Sequence, residues 1–270
     1  MLVNQNQRWR DRRSSFRPAG EIIQTGDYEI SELAGNKDAR AFVEKHHYSG
    51  SYPAARFRYG LYHRREGLVG VAVYSHPVND RTLTSLFPGN VLEGVELGRF
   101  VLLDQVPGNA ETWFLARTFE LLRTSGITGV VSFSDPHPRT TVNGSRVFCG
   151  HVGTIYQAHN AVYLGRGTAR PILLLPDGTV FSARCVSKIQ TLDVGWKYSA
   201  ELLQHFGADI LDPQWEDPRV WLAYWLGKLT RKLKHTGNLK YGWGLTPQMR
   251  RWCAKNWTPQ PYIKMRDLSL

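Results

Sequence analysis

Five residues able to move protons stand where the chain passes from one element to the next. His47 and Tyr48 close an amphipathic stretch, Asp135 ends an apolar one, and His151 and Tyr156 open a short third one. An imidazole or carboxylate takes a proton and a phenol gives one, so the set suits general acid–base catalysis of a group transfer. Each residue has a plainer reading. Asp135 precedes Pro136 and suits the opening of a turn, and His151 suits the polar start of a helix. His46, His47, Asp135 and His151 would also satisfy a transition metal, but adjacent histidines on a helix point to different sides, so a metal is not favoured and no ligand is assigned. A second cluster is the segment Gln105-Val106-Pro107-Gly108-Asn109-Ala110, of the form Q-x-x-G-x-A. Small residues there would let the backbone close on a phosphate, and a helix starting just after it would supply unpaired N–H groups and a positive dipole end. Pro107 removes one donor and Glu111 adds a negative charge, so an ordinary strand-to-helix turn remains the alternative.

The elements that must hold these residues follow from periodicity. YEISEL, from Tyr28, alternates like a strand, and Ala39, Phe42, Val43 and His46 share one helical face behind Asn36. RFRYGLYHRR and LVGVAVYSH around Glu66-Gly67 read as a β-hairpin, and ELGRFVLL from Glu96 as a strand. That strand, the loop, the helix ETWFLARTFELLR and the strand GVVSFSD form a βαβ unit with a parallel pair. A loop over 136–150, a short helix near 151–160, the strand VYLGR and a hairpin around Asp177-Gly178 follow. The remainder reads as helical: Thr191 to Phe206, then a helix from Pro218 through Lys234 with Asp217 as its cap.

The chain of 270 residues is 42% hydrophobic and 21% charged, which excludes disordered and fibrous classes. Three cysteines, Cys149, Cys185 and Cys253, give neither a disulfide framework nor a paired metal motif. No run approaches the roughly 20 apolar residues of a membrane span, and no secretory signal is visible, so a cytoplasmic protein without membrane contact is expected. The net charge is +11, and Arg219 to Arg266 carries eleven basic residues and no Asp or Glu. Five tryptophans are interleaved among them, as on a surface that holds phosphates and stacks bases. Arg231, Lys232, Lys234, Lys240, Tyr241, Arg250 and Arg251 are the candidate DNA contacts. The plainer reading is a solvated basic face over a Trp-rich core. Residues 1–26, with Arg8, Arg10, Arg12 and Arg13, read as a flexible basic arm.

The Q-x-x-G-x-A loop resembles the pyrophosphate loop of GNAT acyltransferases. HHYSGSYPAA (46–55), ELGRFVLLDQVPGNAETWFLARTFELL (96–122), FSDP (133–136), GHVGTIYQAHNAVYLGR (150–166) and GNLKYGW (237–243) together are similar to the Mom DNA-modification proteins of bacteriophages, over roughly 27–245. The resemblance implies an α/β (α+β) GNAT-like fold: a mixed, mainly antiparallel central sheet flanked by helices, as a 27–190 core with a helical, basic 191–270 extension. It implies a transferase acting on the exocyclic amine of adenine in double-stranded DNA, adding a carbamoylmethyl group that protects phage DNA from restriction. His47, Tyr48, Asp135, His151 and Tyr156 would then be catalytic, and Arg99, Gln105, Gly108, Asn109 and Ala110 would bind a small-molecule donor. Acetyl-CoA or another CoA-type donor is one candidate; a glycine-derived donor or a two-step route with a metal stays open, because a carbamoylmethyl group is joined through a saturated carbon. The alternatives are an acetyl-CoA-dependent small-molecule or protein N-acyltransferase, and a DNA-binding protein without catalysis. Truncation near Asp217 is expected to weaken DNA binding and leave the 27–190 core folded.

Overall fold

The computed structural model describes residues 8–10, 13–18 and 20–267. In chain order the elements are β1 (Arg8–Arg10), β2 (Arg13–Ser15), β3 (Tyr28–Glu32), α1 (Asn36–His46), β4 (Ala55–His63), β5 (Gly67–Ser75), α2 (Arg81–Thr84), β6 (Gly94–Leu102), α3 (Ala110–Thr124) and β7 (Gly129–Ser134). Then come β8 (Arg139–Thr140), β9 (Arg146–Phe148), α4 (Thr154–Ala158), β10 (Val162–Arg166), β11 (Ile172–Leu174), β12 (Val180–Phe181), α5 (Ala183–Thr191), α6 (Trp196–Gln204), α7 (Pro218–Leu229), β13 (Arg231–Leu233), β14 (Leu239–Gly244) and α8 (Pro247–Asn256). They form two compact units, one of Met1–Pro136, His151–Arg166 and Asn238–Leu270, the other of His137–Gly150 and Gly167–Gly237.

The first unit carries a seven-stranded sheet in the order β10-β14-β7-β6-β5-β4-β3, antiparallel throughout except for β6 and β7. This is the expected mixed, mainly antiparallel sheet flanked by helices. β5 is apolar at nearly every position because it is covered on both faces: Val69, Ala72 and Tyr74 join the core under α3, and Val71 and Val73 pack with Ala39, Phe42 and Val43 of α1. On α3, Phe114, Leu115, Thr118, Phe119 and Leu122 recur at helical spacing and are buried. β14 departs from the expected helical extension. Leu239, Tyr241 and Trp243 alternate onto the α3 side of the sheet and are buried there, a strand pattern that the surrounding Lys and Gly residues obscured. The boundary at residue 190 is therefore corrected, since the central sheet is completed by a strand from beyond it. The free basic arm is corrected as well: β1 and β2 pair antiparallel, and the Arg8 side chain is only 8% exposed against Glu111. Arg12 and the side chain of Arg10 lie outside the described residues.

The second unit has a β12-β11-β13 sheet and a β8-β9 ribbon, with a core of Leu175, Phe181, Ile189, Leu203, Trp221 and Leu222. The helix expected from Thr191 to Phe206 is instead α5 and α6, separated where Leu192 and Gly195 adopt left-handed conformations, at φ 53° and 83°. Asp217 caps α7 by accepting from the Arg219 N–H at 2.8 Å, with Pro218 at the first helical position as expected. That helix stops at Leu229, not Lys234, because Arg231–Leu233 pair with β11. Among the described residues no helix is long and apolar enough to cross a membrane.

Candidate active site

The parallel strands β6 and β7 pair from Gly94/Gly129 to Leu97/Ser132 and then part. The candidate residues gather around that parting. α1 ends at His46, whose ring packs on Phe42 at 4.7 Å, and His47 leaves the helix in an extended conformation. The two rings thus diverge, and among the described residues no group of three or more His, Cys, Asp or Glu is placed to hold a metal. The Ser49 N–H donates to His47 Nδ1 at 3.2 Å, which makes Nδ1 an acceptor and puts the neutral ring's proton on Nε2. The His47 ring keeps some surface exposure, yet desolvation, with Arg99 and His151 as neighbours, holds its pKa well below the histidine range.

Tyr48 stacks beside His47, with ring centroids 4.2 Å apart, and its hydroxyl lies 3.2 Å from His151 Nε2. His151 is tied in turn to the end of β7, where its backbone N–H donates to the Asp135 carbonyl at 2.8 Å. Asp135 therefore borders the cluster through its backbone. Tyr156 is buried on α4, which starts at Gly153 in a left-handed conformation. Ser132 donates to the Leu97 carbonyl at 2.9 Å and lies beside the Tyr156 hydroxyl, where its hydrogen bond opposes the effect of burial on the phenol. Burial raises the Tyr156 pKa and keeps the phenol protonated.

Arg99 holds the turn after α1 against the sheet: Nε and Nη2 donate to the Ser51 carbonyl and Oγ, each at 2.8 Å. Burial lowers its pKa, opposed by Tyr48 and Glu96. Glu96 was not selected from the sequence, because residues three apart on a strand face opposite sides. Here Arg99 pairs with Val73 and Leu97 with Tyr74, so Gly98 is an extra residue in β6, and this bulge brings Glu96 and Arg99 to one face. Burial raises the Glu96 pKa and Arg99 opposes that rise. A glycine inside a strand pattern was the available signal. Two further residues escaped notice: Ser132, and Ser134, whose buried hydroxyl has no hydrogen-bond partner.

The Gln105–Ala110 loop does connect β6 to α3, but its groups are engaged within the chain. Val106 and Ala110 N–H donate to the Leu103 and Pro107 carbonyls, and Gly108 N–H donates to the Glu21 carboxylate at 2.7 Å. Asn109 Oδ1 accepts from Ile23 N–H at 2.9 Å, and Gln105 Nε2 donates to Glu66 at 3.1 Å. A pyrophosphate does not fit this arrangement, because a carboxylate already sits on the Gly108 donor. Of the candidate DNA contacts, Lys232, Lys234, Arg250 and Arg251 are exposed, while Lys240 and Arg231 are half-buried, Arg231 donating to the Thr140 carbonyl. Tyr241 is corrected: it is fully buried, with its hydroxyl donating to the Val152 carbonyl, and cannot stack on a base. A pocket of about 460 Å³ in the first unit is walled by Phe119, Trp243 and Trp257, with His159 and Arg250 on its lining, and none of the five acid–base candidates borders it.

A family model described as the Mom protein family matches residues 27–210. No curated protein matches the chain. Solved structures similar to it include a ribosomal-protein-S5-alanine acetyltransferase from Vibrio fischeri, at 11% identity over 55% of this chain and 86% of that one, with a TM-score of 0.35. Another is a tandem GNAT protein from the clavulanic acid biosynthesis pathway, at 9% identity over 82% of this chain and 99% of that one, with a TM-score of 0.41.

Proposed function

Matched over most of its length, the chain belongs to the Mom protein family, and on that premise we propose that it is a transferase modifying the exocyclic amine of adenine in double-stranded DNA. The modification is of the carbamoylmethyl type and protects phage DNA from restriction. The observation that carries this reading is the Tyr48–His151 contact beside His47, Arg99 and Tyr156 at the parting of β6 and β7. Adenine's amine lone pair is delocalised into the ring, so the nitrogen needs a base as the new bond forms. Tyr48 and His151 supply one as a relay. The phenol passes its proton to His151 Nε2 while its oxygen takes the proton of the amine. Arg99 and the neutral His47 hold the relay in place, and Tyr156 gives a proton to the donor's leaving group, so that the proton gained by His151 balances the one that Tyr156 loses. An adenine inside a duplex reaches such a cluster only if it is flipped out of the stack, and the exposed Lys and Arg residues of the basic segment would hold the phosphates.

Mass spectrometry of nucleosides from DNA of cells expressing the protein tests this. An adenosine species heavier by a carbamoylmethyl group is the expected result, and unmodified adenine throughout would overturn it. The reading as an acetyl-CoA-dependent small-molecule or protein N-acyltransferase predicts unmodified DNA and an acetylated amine elsewhere. The donor here is a small molecule, and a CoA-type compound requires a rearrangement of the loop beyond β6.

A further inference from the structure

Residues 8–10, 13–18 and 20–23 precede the family-matched segment, and Arg8, Ser15, Arg17, Glu21 and Ile23 reach the loop where an acyltransferase would hold its donor's phosphates. Arg8 is the anchor. Its Nη1 donates to the Leu103 and Val106 carbonyls at 2.6 and 2.7 Å, its Nη2 to the Pro107 carbonyl at 3.3 Å, and its Nε and Nη2 to Glu111 Oε1 at 2.9 and 2.7 Å. The remaining Glu111 oxygen is buried without a partner. Ser15 Oγ donates to Asp104 Oδ1 at 3.1 Å and Arg17 Nη1 to the Asp104 carbonyl at 3.1 Å. Beyond these, Glu21 reaches the Gly108 N–H, and Ile23 N–H reaches Asn109.

Pro107 has no N–H, and those of Val106 and Ala110 are turned inward, so an incoming phosphate would rely on the Gly108 and Asn109 N–H groups, and Glu21 already holds that of Gly108. Glu21 is a charged anion at that point. Arg17 and the Gly108 N–H hold its carboxyl below the usual carboxylate range. We propose that the segment bearing Arg8, Ser15, Arg17, Glu21 and Ile23 acts as a strap whose Glu21 carboxylate occupies the phosphate position of the Gln105–Ala110 loop, so that strap and a pyrophosphate-bearing donor exclude each other. A CoA-type donor then enters only as the strap lifts. A donor without phosphates would leave the strap in place.

This inference rests on reading the loop as the donor end of the site and is independent of the acceptor. The test is calorimetric titration of CoA, and of inorganic pyrophosphate, into the full chain and into Glu21→Ala and Glu21→Gln variants, with hydrogen exchange followed over residues 8–23. The expected order of affinity is Ala above Gln above the unaltered chain. The Ala variant should bind at least about tenfold tighter, the effect of losing one charged competitor for a hydrogen-bond donor. In the unaltered chain, CoA should raise exchange over residues 8–23. Equal affinity in all three proteins, no binding by Glu21→Ala at millimolar CoA, or binding with residues 8–23 still protected would each overturn it. Because the nucleoside measurement does not depend on CoA, modified adenine with any of those outcomes removes the strap alone, and unmodified adenine with the expected order removes only the DNA reading.

Discussion

The neutral imidazole of His47 has a thermodynamic signature that can be measured. Unfolded, the ring titrates near the ordinary histidine value of about 6.5, and folded it titrates well below, because it is desolvated and faces Arg99 and His151. Between those two values the unfolded chain binds the additional proton, so stability rises with pH. The contribution is complete above the ordinary value and is lost as pH falls through the folded one. Urea melts of the protein and of His47→Asn should therefore converge on acidification from pH 7.5 to 5.5, with the unaltered protein losing more; a constant gap would show that His47 titrates normally. Tyr156 makes a different prediction. Phenylalanine keeps the ring against Tyr241 and Trp243, at 5.5 and 5.6 Å, and removes only the hydroxyl bonded to Ser132. Modification by Tyr156→Phe should fall by about 10²–10⁴-fold, as for a lost general acid, while stability changes by only about 1 kcal/mol. Nucleoside mass spectrometry beside a thermal melt separates those effects, and full modification in the variant would remove Tyr156 from the mechanism.

Helix α4 reaches its place through one glycine. Gly153 has φ +71°, and a Cβ there would lie 2.8 Å from both Tyr156 Cδ2 and Tyr241 Cε2. Gly153→Ala thus imposes a strained backbone and displaces the two rings, an expected loss of roughly 1–3 kcal/mol, and moves the Tyr156 hydroxyl off Ser132. Modification should drop although no acid–base group has been altered; unchanged melting and activity would show that α4 tolerates a shift. The same element scale explains what could be read in advance. The β4–β5 hairpin, the β6–α3–β7 unit and the Asp217-Pro218 helix start were legible, because each is marked by local signals: a Gly turn, an apolar period, or a cap followed by proline. His47, Tyr48 and Arg99 were selected as candidates from the sequence, and the fold brings them near one another. Glu96 was hidden by the bulge at Gly98, which breaks the two-residue period, and Glu21 by its distance in sequence from the Gly108 N–H it meets. β14 was masked because Leu239, Tyr241 and Trp243 sit in a run whose lysines and glycines read as a basic surface. Pairing partners far apart in sequence leave no trace in a local pattern.

Across the molecule, the basic segment does two kinds of work in two compact units. Lys232 and Lys234 stand exposed in one unit and Arg250 and Arg251 in the other, while Tyr241 and Trp243 from the same stretch are core. Replacing either exposed pair by glutamate should weaken duplex binding across sequences and flatten its dependence on salt, measured by fluorescence anisotropy at two ionic strengths, since each lost phosphate contact releases fewer counterions. An unaffected salt slope would place the phosphates elsewhere. Cutting the chain at Asp217 has a different consequence from the loss of a detachable DNA-binding tail. β14 hydrogen-bonds to β10 on one side and, from Leu239 to Gly244, to β7 on the other. Without it, β7 keeps only its short parallel pairing with β6, β10 has no neighbour in the sheet, and the faces of Tyr156, Tyr163 and Phe119 that touch Tyr241 or Trp243 are bared. Each large side chain taken from that core is worth about 1.5–3 kcal/mol, and a domain's whole stability is roughly 5–15 kcal/mol. The loss of Leu239, Tyr241, Trp243 and Leu245 with their ladder therefore consumes most of it. A chain of residues 1–216 should show no cooperative thermal transition and should expose apolar surface to a hydrophobic dye. A sharp melt from that fragment would mean that β10 and β7 close the sheet without β14.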